Sequence, residues 1–188
     1  MAAAGRAIRA ATELPIGFNV LRNDARAALA LCAACDGSFI RVNVHTGAML
    51  TDQGLIEGNA HDTLRYRQQL CPHIQIFADI LVKHAVPLGD LSIEDSARDT
   101  LERGLADALI ISGIGTGMAA ELSDLERVRR ACPSANIFLG SGVMVANVRD
   151  FLPLADGFIV GTSLKRGGKI SNPVDPKRVR ALVSAIGK

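Results

Sequence analysis

Short runs of β-branched and aromatic residues alternate with helical patterns along this 188-residue chain. The predicted strands are Ile16–Arg22, Phe39–His45, Ile74–Lys83, Ala108–Ser112, Asn136–Gly140 and Gly157–Gly161. Strands that are separated by helices pair in parallel through right-handed crossovers. The alternation therefore predicts an α/β fold, either a closed barrel or an open sheet covered by helices.

Capping residues predict where three of the helices begin. Asp24 precedes the alanine-rich run Ala25–Ala34, and Ser123 has a glutamate three residues later, which is the spacing of a capping box. Asp175 is followed by Pro176, a residue that the first position of a helix tolerates. Two of these helices fall between predicted strands and the third follows the last strand, as a strand-helix repeat requires.

In two of the strands the polar side chains occupy alternate positions and so lie on one face of the sheet. This pattern distinguishes a closed barrel from an open sheet. Arg41, Asn43 and His45 alternate with apolar residues, and Asp79 and Lys83 do the same in the next strand. An open sheet covered by helices on both faces would bury these groups at a high cost. The mouth of a barrel tolerates them, so a (β/α)8 TIM-barrel-like fold is favoured. The polar residues then line a ligand site or, alternatively, form a hydrogen-bonded network with a structural role.

A turn of glycine and hydroxyl residues closes each of the last two predicted strands. Such turns expose backbone N–H groups, and a helix that begins just beyond adds its positive end. In parallel barrels the loops after the last two strands are where phosphate groups usually bind. A barrel of the phosphate-binding type is therefore expected, although glycines also serve simply to turn a short loop. The predicted phosphate ligands are Gly140, Ser141, Gly142, Gly161, Thr162 and Ser163.

The chain supplies about six strands, whereas a complete barrel has eight and commonly needs about 250 residues. The closing turns and the final helix are present, so we expect the first two strands to be missing and residues 1–188 to form a single, partial barrel domain. Three explanations of the missing strands remain open: another polypeptide supplies them, the sequence is an incomplete reading of a longer one, or the sheet stays open with altered ends. An unpaired edge beside Ile16–Arg22 predicts a homo-oligomer.

Composition excludes several classes of protein. The net charge is only +2, and aromatic residues make up 4% of the chain with no tryptophan, which argues against a nucleic-acid partner. No apolar stretch is long enough for an integral membrane segment. The four cysteines follow no signal peptide, so a reducing, cytoplasmic location is expected. Cys32 and Cys35 lie inside a helical run and are predicted to be buried thiols rather than a redox or metal pair.

Several long blocks of sequence resemble the BtpA/SgcQ family. The blocks are Leu14–Asp24, Phe39–His45, Asp79–His84, Asp156–Lys165 and Asn172–Pro176, and the likeness extends over almost the whole chain. The resemblance implies a phosphate-binding type of barrel. It also implies a role in photosystem I biogenesis in photosynthetic members and a link to a sugar-related operon in others. Family members carry an additional N-terminal stretch with the first two strands, and this sequence departs from that pattern.

Three residues are candidates for catalysis. Asp79 and Lys83 lie near the carboxyl end of one strand, where a carboxylate and an amine can exchange protons or polarise a carbonyl group. His45 ends the preceding strand, and an imidazole titrates near neutral pH. A simpler interpretation pairs Asp79 with Arg41 as a structural ion pair. The residues expected to orient the substrate are Asn19, Arg41 and Asn43.

Two further segments contain several glycines, and the sequence carries no cofactor motif. Gly113–Gly117 lacks the spacing of a dinucleotide fingerprint and is expected to be a flexible loop, while Thr46–Asn59 is long enough to be a lid. No metal-ligand spacing is present, so neither a metal nor a cofactor is predicted. The favoured function is an isomerase, aldolase or lyase that binds a small phosphorylated molecule. A non-catalytic assembly factor and an inactive fragment are the alternatives.

Overall fold

The computed structural model describes residues 1–52, 54–81, 85–113 and 122–187. Within these ranges the strands are β1 (Gly17–Phe18), β2 (Phe39–Val42), β3 (Ala48–Thr51), β4 (Gly54–Glu57), β5 (Gln75–Ile80), β6 (Ala85–Pro87), β7 (Ala108–Ser112), β8 (Ile137–Gly140) and β9 (Gly157–Ile159). The α-helices are α1 (Ala2–Ala11), α2 (Ala25–Cys35), α3 (Ala60–Leu70), α4 (Ile93–Arg98), α5 (Leu122–Ala131), α6 (Val148–Phe151) and α7 (Pro176–Ile186). A π-helical segment, Asp99–Arg103, continues α4, and short 3₁₀ turns cover Thr162–Leu164 and Arg166–Gly168.

The predicted strands form one parallel sheet. Among the described residues its order is β1-β2-β5-β7-β8-β9, and every neighbouring pair is parallel. Helices connect successive strands, so the chain advances across the sheet by strand-helix units, as in part of a TIM barrel. The predicted fold class, an α/β TIM-barrel-like fold, is confirmed.

The helix-facing side of the sheet is aliphatic. Ile40, Ile76, Leu109 and Leu139 are each 0% exposed, and they occupy alternate positions of neighbouring strands. Each such side chain stabilises the fold by about 1.5–3 kcal/mol through removal from water. Successive side chains of a strand point to opposite faces of the sheet. The residues that alternate with these core positions therefore face the opposite, concave side.

The concave side is aromatic near the amino ends of the strands. Phe77 stacks on Phe39 with ring centroids 4.6 Å apart and lies 4.8 Å from the ring of Phe138. Glycines in the edge strands leave room for these rings, because a Cβ at Gly157 would lie 2.4 Å from Phe138, and one at Gly17 would lie 2.1 Å from Phe39. The aromatic row closes one end of the concavity, which leaves the carboxyl ends of the strands for the polar residues.

The segment Thr46–Asn59, which was predicted to be a loop, instead forms strands. β3 and β4 make an antiparallel hairpin, and β6 pairs with the other side of β3. Met49 is buried on one face of this sheet, while Leu50 on the other face is 55% exposed. The prediction missed the hairpin because each strand has only four residues, bounded by glycines, and its third strand comes from a distant part of the sequence.

Two of the three predicted helix starts have the expected caps. Asp24 accepts a hydrogen bond from the backbone N–H of Ala27, and Asp175 accepts one from that of Lys177, so each satisfies an amide that the helix leaves unpaired. Ser123 lies within α5 instead of at its cap. None of the helices in the described ranges is both long enough and apolar enough to cross a lipid bilayer.

Candidate functional site

The two glycine-hydroxyl turns lie side by side and line one cavity of about 740 Å³. The first turn follows β8 and the second follows β9, and these strands are neighbours in the sheet. Parallel strands carry their carboxyl-end turns to the same edge, which brings together residues that are far apart in the sequence. The turn residues that line the cavity are Gly140, Ser141, Gly142, Gly161, Thr162 and Ser163.

The backbone of the first turn adopts conformations that favour glycine. Ser141 has a φ of 121° and Gly142 a φ of 67°. Asn147 holds this conformation, because its side chain accepts a hydrogen bond from the N–H of Met144 and donates one to the carbonyl of Gly142. Non-glycine residues with positive φ cluster at ligand sites, where the surrounding structure maintains the strain. The hydrogen bonds of Asn147 therefore hold the turn in one defined conformation.

The first amides of the second turn make no hydrogen bond within that turn. Its 3₁₀ hydrogen bonds begin with the N–H of Leu164, which donates to the carbonyl of Gly161, so the amides of Thr162 and Ser163 precede the first bond. The Ser163 hydroxyl donates to the carbonyl of Val143 at 2.7 Å and ties the two turns together. Arg178 from α7 donates to the Ser163 carbonyl at 2.9 Å and also lines the cavity.

A network of hydrogen bonds surrounds Asp79 on the concave side of the sheet. Arg41 donates to it from Nε at 2.9 Å and from Nη2 at 2.7 Å, and Asn43 donates from Nδ2 at 2.9 Å. Asn19 in turn donates to the side chain of Asn43 and to the carbonyl of Arg41. The structure thus brings together Asp79 and the three predicted substrate-orienting residues, and Arg41 reaches the cavity wall.

Ser112 is a member of this network that the sequence analysis did not identify. Its hydroxyl donates to Oδ1 of Asp79 at 3.2 Å, so the carboxylate accepts four hydrogen bonds from described residues. Ser112 is the last residue of β7, the strand beside β5. It lies on the same face of the sheet as Ile110, the residue that pairs with Asp79. Side-chain alternation could have revealed Ser112, because Asp79 pairs with Ile110 and Ser112 lies two positions after Ile110 in the same strand.

Of the other two candidates for catalysis, only His45 lies in the described part of the chain, and no hydrogen bond there joins it to this network. His45 lies three residues beyond the end of β2, is 1% exposed, and contacts the carbonyl of Gly104 through Nε2 at 2.8 Å. A carbonyl oxygen only accepts, so Nε2 carries the proton and Nδ1 is the unprotonated nitrogen. Lys83 lies outside the described residues, as does most of the glycine loop Gly113–Gly117. The catalytic assignments of His45 and Lys83 therefore stay predictions.

Burial lowers the pKa of His45 from its ordinary value of 6.5. The unfolded chain therefore takes up a proton more readily than the folded chain, so stability should be complete above pH about 6.5 and fall as the pH drops below it. Replacement of His45 by Gln should reduce this loss, because an amide can still donate to Gly104 without titrating. Urea unfolding between pH about 7.5 and about 5.5 measures the effect.

The exposed His61 provides the control for this experiment, because its side chain is 67% exposed. His61→Gln should leave the acid loss of stability unchanged. Equal slopes for the wild type and His45→Gln would show that His45 does not cause the loss.

The cysteines are buried, as predicted. Cys32 is 1% exposed and Cys35 is 3% exposed, and desolvation by burial raises the pKa of Cys32 to about 12. A thiol with such a pKa is a poor nucleophile and a poor metal ligand at neutral pH. Within the ranges that the structure describes, no three His, Cys, Asp or Glu side chains come close enough together to hold a metal ion.

Comparisons with known proteins identify relatives of the whole chain. The BtpA family matches residues 1–188. The photosystem I biogenesis protein BtpA of Synechocystis is 50% identical over 174 residues, which are 93% of this chain and 61% of that protein. The putative sgc region protein SgcQ of Escherichia coli is 31% identical and is matched over 65% of its length. The chain thus spans less than two thirds of these relatives.

The fold also recurs in solved structures. N-(5'-phosphoribosyl)anthranilate isomerase from Pyrococcus furiosus superposes with a TM-score of 0.64 over 100% of this chain and 80% of the isomerase. The sequence identity is 13%, so this likeness concerns the barrel architecture alone. The full-length match, together with the high identity to the cyanobacterial protein, shows that the chain is a member of the BtpA family.

Proposed function

We propose that the cavity binds the phosphate group of a small phosphorylated molecule and that the barrel carries out isomerase, aldolase or lyase chemistry on it. The observation that carries this proposal is the convergence of the turns after β8 and β9 on one cavity. In TIM-barrel enzymes this position commonly binds phosphate. The isomerase with the same architecture is named for a phosphoribosyl compound, which agrees with a phosphorylated substrate.

The cavity offers a phosphate both amide dipoles and a positive charge. The N–H groups of Thr162 and Ser163 precede the first hydrogen bond of their turn, so they are available to phosphate oxygens. Arg178 is held at the cavity by one donor, Nη1, and a guanidinium has five donors. Charge-assisted hydrogen bonds from the remaining donors are about twice as strong as neutral ones.

The walls around the turns are largely apolar. Val143, Ile159 and Leu182 line the cavity beside the phosphate-facing amides. Apolar walls reduce the water around a bound substrate, which strengthens electrostatic interactions between the protein and a reacting group. The cavity volume of about 740 Å³ is in the range of small-molecule sites.

Catalysis by Asp79, Lys83 and His45 belongs to the same proposal. In an isomerisation, one group removes a proton next to a carbonyl and another returns it at the neighbouring atom. Four hydrogen bonds hold the Asp79 carboxylate in place. A proton transfer by Asp79 would require one of these hydrogen-bond donors to move away. The geometry of Asp79 therefore suits the positioning of Arg41 better than it suits proton transfer. Lys83 stays the stronger candidate for proton transfer on chemical grounds.

Replacement of Arg178 by Met should weaken the binding of inorganic phosphate about tenfold, because a charge-assisted hydrogen bond is lost. Isothermal titration calorimetry at low ionic strength measures the dissociation constant. Arg180→Met provides a matched control, because it removes the same charge from α7 at an exposed position that does not line the cavity. The control should bind phosphate within about twofold of the wild type.

Failure of inorganic phosphate and sulfate to bind the wild type would contradict the proposal. Equal weakening by both variants would also contradict it, because the effect would then come from the overall charge of α7 and not from the cavity. A rise of the melting temperature with phosphate that Arg178→Met abolishes would support the site independently.

A second candidate is a non-catalytic assembly factor. The observation that favours it is the name of the cyanobacterial relative, a photosystem I biogenesis protein that is 50% identical to this chain. In this function the barrel would bind a protein, and the anion cavity would regulate that interaction. Within the described residues β1 and β9 each pair with a single neighbouring strand, so each has an edge that supports association with another chain, including a second copy.

A further inference from the structure

Arg41 provides a second positively charged group in the cavity that the two glycine-hydroxyl turns line. It comes from β2, whereas the turns follow β8 and β9, three to four strands further across the sheet. Even so, Arg41 lines the same cavity as both turns. The cavity therefore extends from the turns across the concave side of the sheet to the guanidinium.

The guanidinium is fixed by one of its two edges. Nε and Nη2 donate to Oδ2 and Oδ1 of Asp79, a parallel pair of hydrogen bonds at 2.9 and 2.7 Å. Asp79 has no exposed side-chain surface, whereas 23% of the Arg41 side chain is exposed. The carboxylate is thus the buried anchor, and the guanidinium is the part that reaches solvent and the cavity.

The anchor is itself held by two further donors. The amide of Asn43 donates to Oδ2 and the hydroxyl of Ser112 donates to Oδ1 of Asp79. These bonds fix the plane of the carboxylate, and the paired bonds to Arg41 transmit that plane to the guanidinium. Asp79, Asn43 and Ser112 are therefore positioning residues for Arg41.

The other edge of the guanidinium remains available. A guanidinium has five N–H donors, and Asp79 uses one on Nε and one on Nη2. Nη1 has no acceptor among the described residues, so both of its donors and the second donor of Nη2 form an unpaired fork. Such a fork matches the two oxygens of a carboxylate in one plane.

We propose that the free edge of Arg41 binds a carboxylate, so that the cavity takes a phosphorylated carboxylic acid. The phosphate lies at the turns and the acid group lies at β2. This inference rests on the proposed function, because it assumes that the phosphate binds at the turns. It adds the class of the ligand and assigns Arg41 as the residue that selects it.

Matched pairs of ligands test this inference directly. Phosphoglycerate is compared with glycerol phosphate, and phosphogluconate with glucitol phosphate, because each pair differs in one carboxylate. Two pairs are needed, since the length of the ligand must suit the distance from the turns to Arg41. The phosphorylated acid of the better-fitting pair should bind the wild type about tenfold more tightly than its alcohol.

Two variants of Arg41 identify the source of this preference. Arg41→Lys keeps a positive charge beside Asp79 but loses the planar fork, and Arg41→Met removes the charge. Both should bring the ratio within a pair close to one, while the affinity for inorganic phosphate stays within about threefold of the wild type. Arg98→Met, a change at an exposed residue of α4, should keep the wild-type ratio.

Three outcomes would overturn the inference. Equal affinity of acid and alcohol in both pairs, with inorganic phosphate still bound, would remove the carboxylate site and leave the proposed function intact. A preference for the acid that survives in Arg41→Lys and Arg41→Met would place the carboxylate elsewhere. Absence of any phosphate binding would remove both this inference and the proposed function. Because Arg41→Met can impair folding, Arg41→Lys alone decides the question if the methionine variant is unfolded.

Discussion

Replacement of Arg41 by Met is expected to lower the free energy of unfolding by about 3–5 kcal/mol. The change leaves the Asp79 carboxylate, which has no exposed side-chain surface, without its charged partner. Asn43 and Ser112 still donate to it, but neither carries a charge. An unpaired buried charge is costly because the interior cannot replace the hydration that the group had in the unfolded chain. Urea denaturation at neutral pH measures the loss.

The double variant Arg41→Met/Asp79→Leu tests the cause of that loss. It removes both charges at once, so it should be more stable than Arg41→Met alone although it carries one more substitution. Arg98→Met is the control for a solvent-exposed ion pair. Its partner Asp95 is 60% exposed, so the expected change is below about 1 kcal/mol. A double variant that is less stable than Arg41→Met would show that the network stabilises the protein by its packing and not by its charge pairing.

Strand parity allowed much of the concave side to be predicted. Arg41, Asn43 and Asp79 lie in regular strands or directly after one, where alternation determines the face of the sheet on which a side chain lies. The structure brings these residues into one hydrogen-bonded network. Both interpretations of these polar residues, a ligand site and a structural network, are compatible with the structure, because the network satisfies the Asp79 carboxylate and Arg41 still lines the cavity.

Parity loses its meaning where a strand ends. β2 ends at Val42, so the predicted extension of the strand to His45 did not hold. The ring of His45 contacts the carbonyl of Gly104, which follows the π-helical segment Asp99–Arg103. This contact joins residues 59 positions apart and depends on the shape of the turn after β2. Periodicity carries no information about such a turn, so the partner of His45 could not be predicted.

The pairing of distant segments was also beyond the sequence analysis. β6 joins the hairpin of β3 and β4 through backbone hydrogen bonds, and all residues other than proline carry the same backbone donor and acceptor. Short strands with glycine at their ends have the composition of loops. The turns after β8 and β9 were easier to predict, because glycine beside a hydroxyl residue at the end of an apolar run is an unusual local pattern.

Replacement of Gly161 by Asp is expected to weaken the binding of phosphate and of phosphorylated ligands about 100-fold or more. Gly161 lines the cavity, and a Cβ placed on it meets no atom within 4 Å, so the new side chain has room without any change in the fold. Its φ of −126° is negative, so the new side chain is not placed in the left-handed region that favours glycine. The carboxylate would then stand beside the amides that a phosphate needs, and two like charges in one cavity repel each other. Calorimetric titration with phosphate measures the effect.

Two further substitutions at the same position separate charge from size. Gly161→Asn has nearly the same shape as the aspartate but no charge, and Gly161→Ala adds a single methyl group. If the turns bind an anion, the affinity should decrease in the order Ala, Asn, Asp, with the largest step between Asn and Asp. Equal losses for Asn and Asp would mean that the cavity holds a neutral ligand and rejects bulk alone. Gly140 cannot serve this purpose, because its Cβ would lie 3.0 Å from Ile110 and from the hydroxyl of Ser112, so a substitution there would disturb the Asp79 network as well.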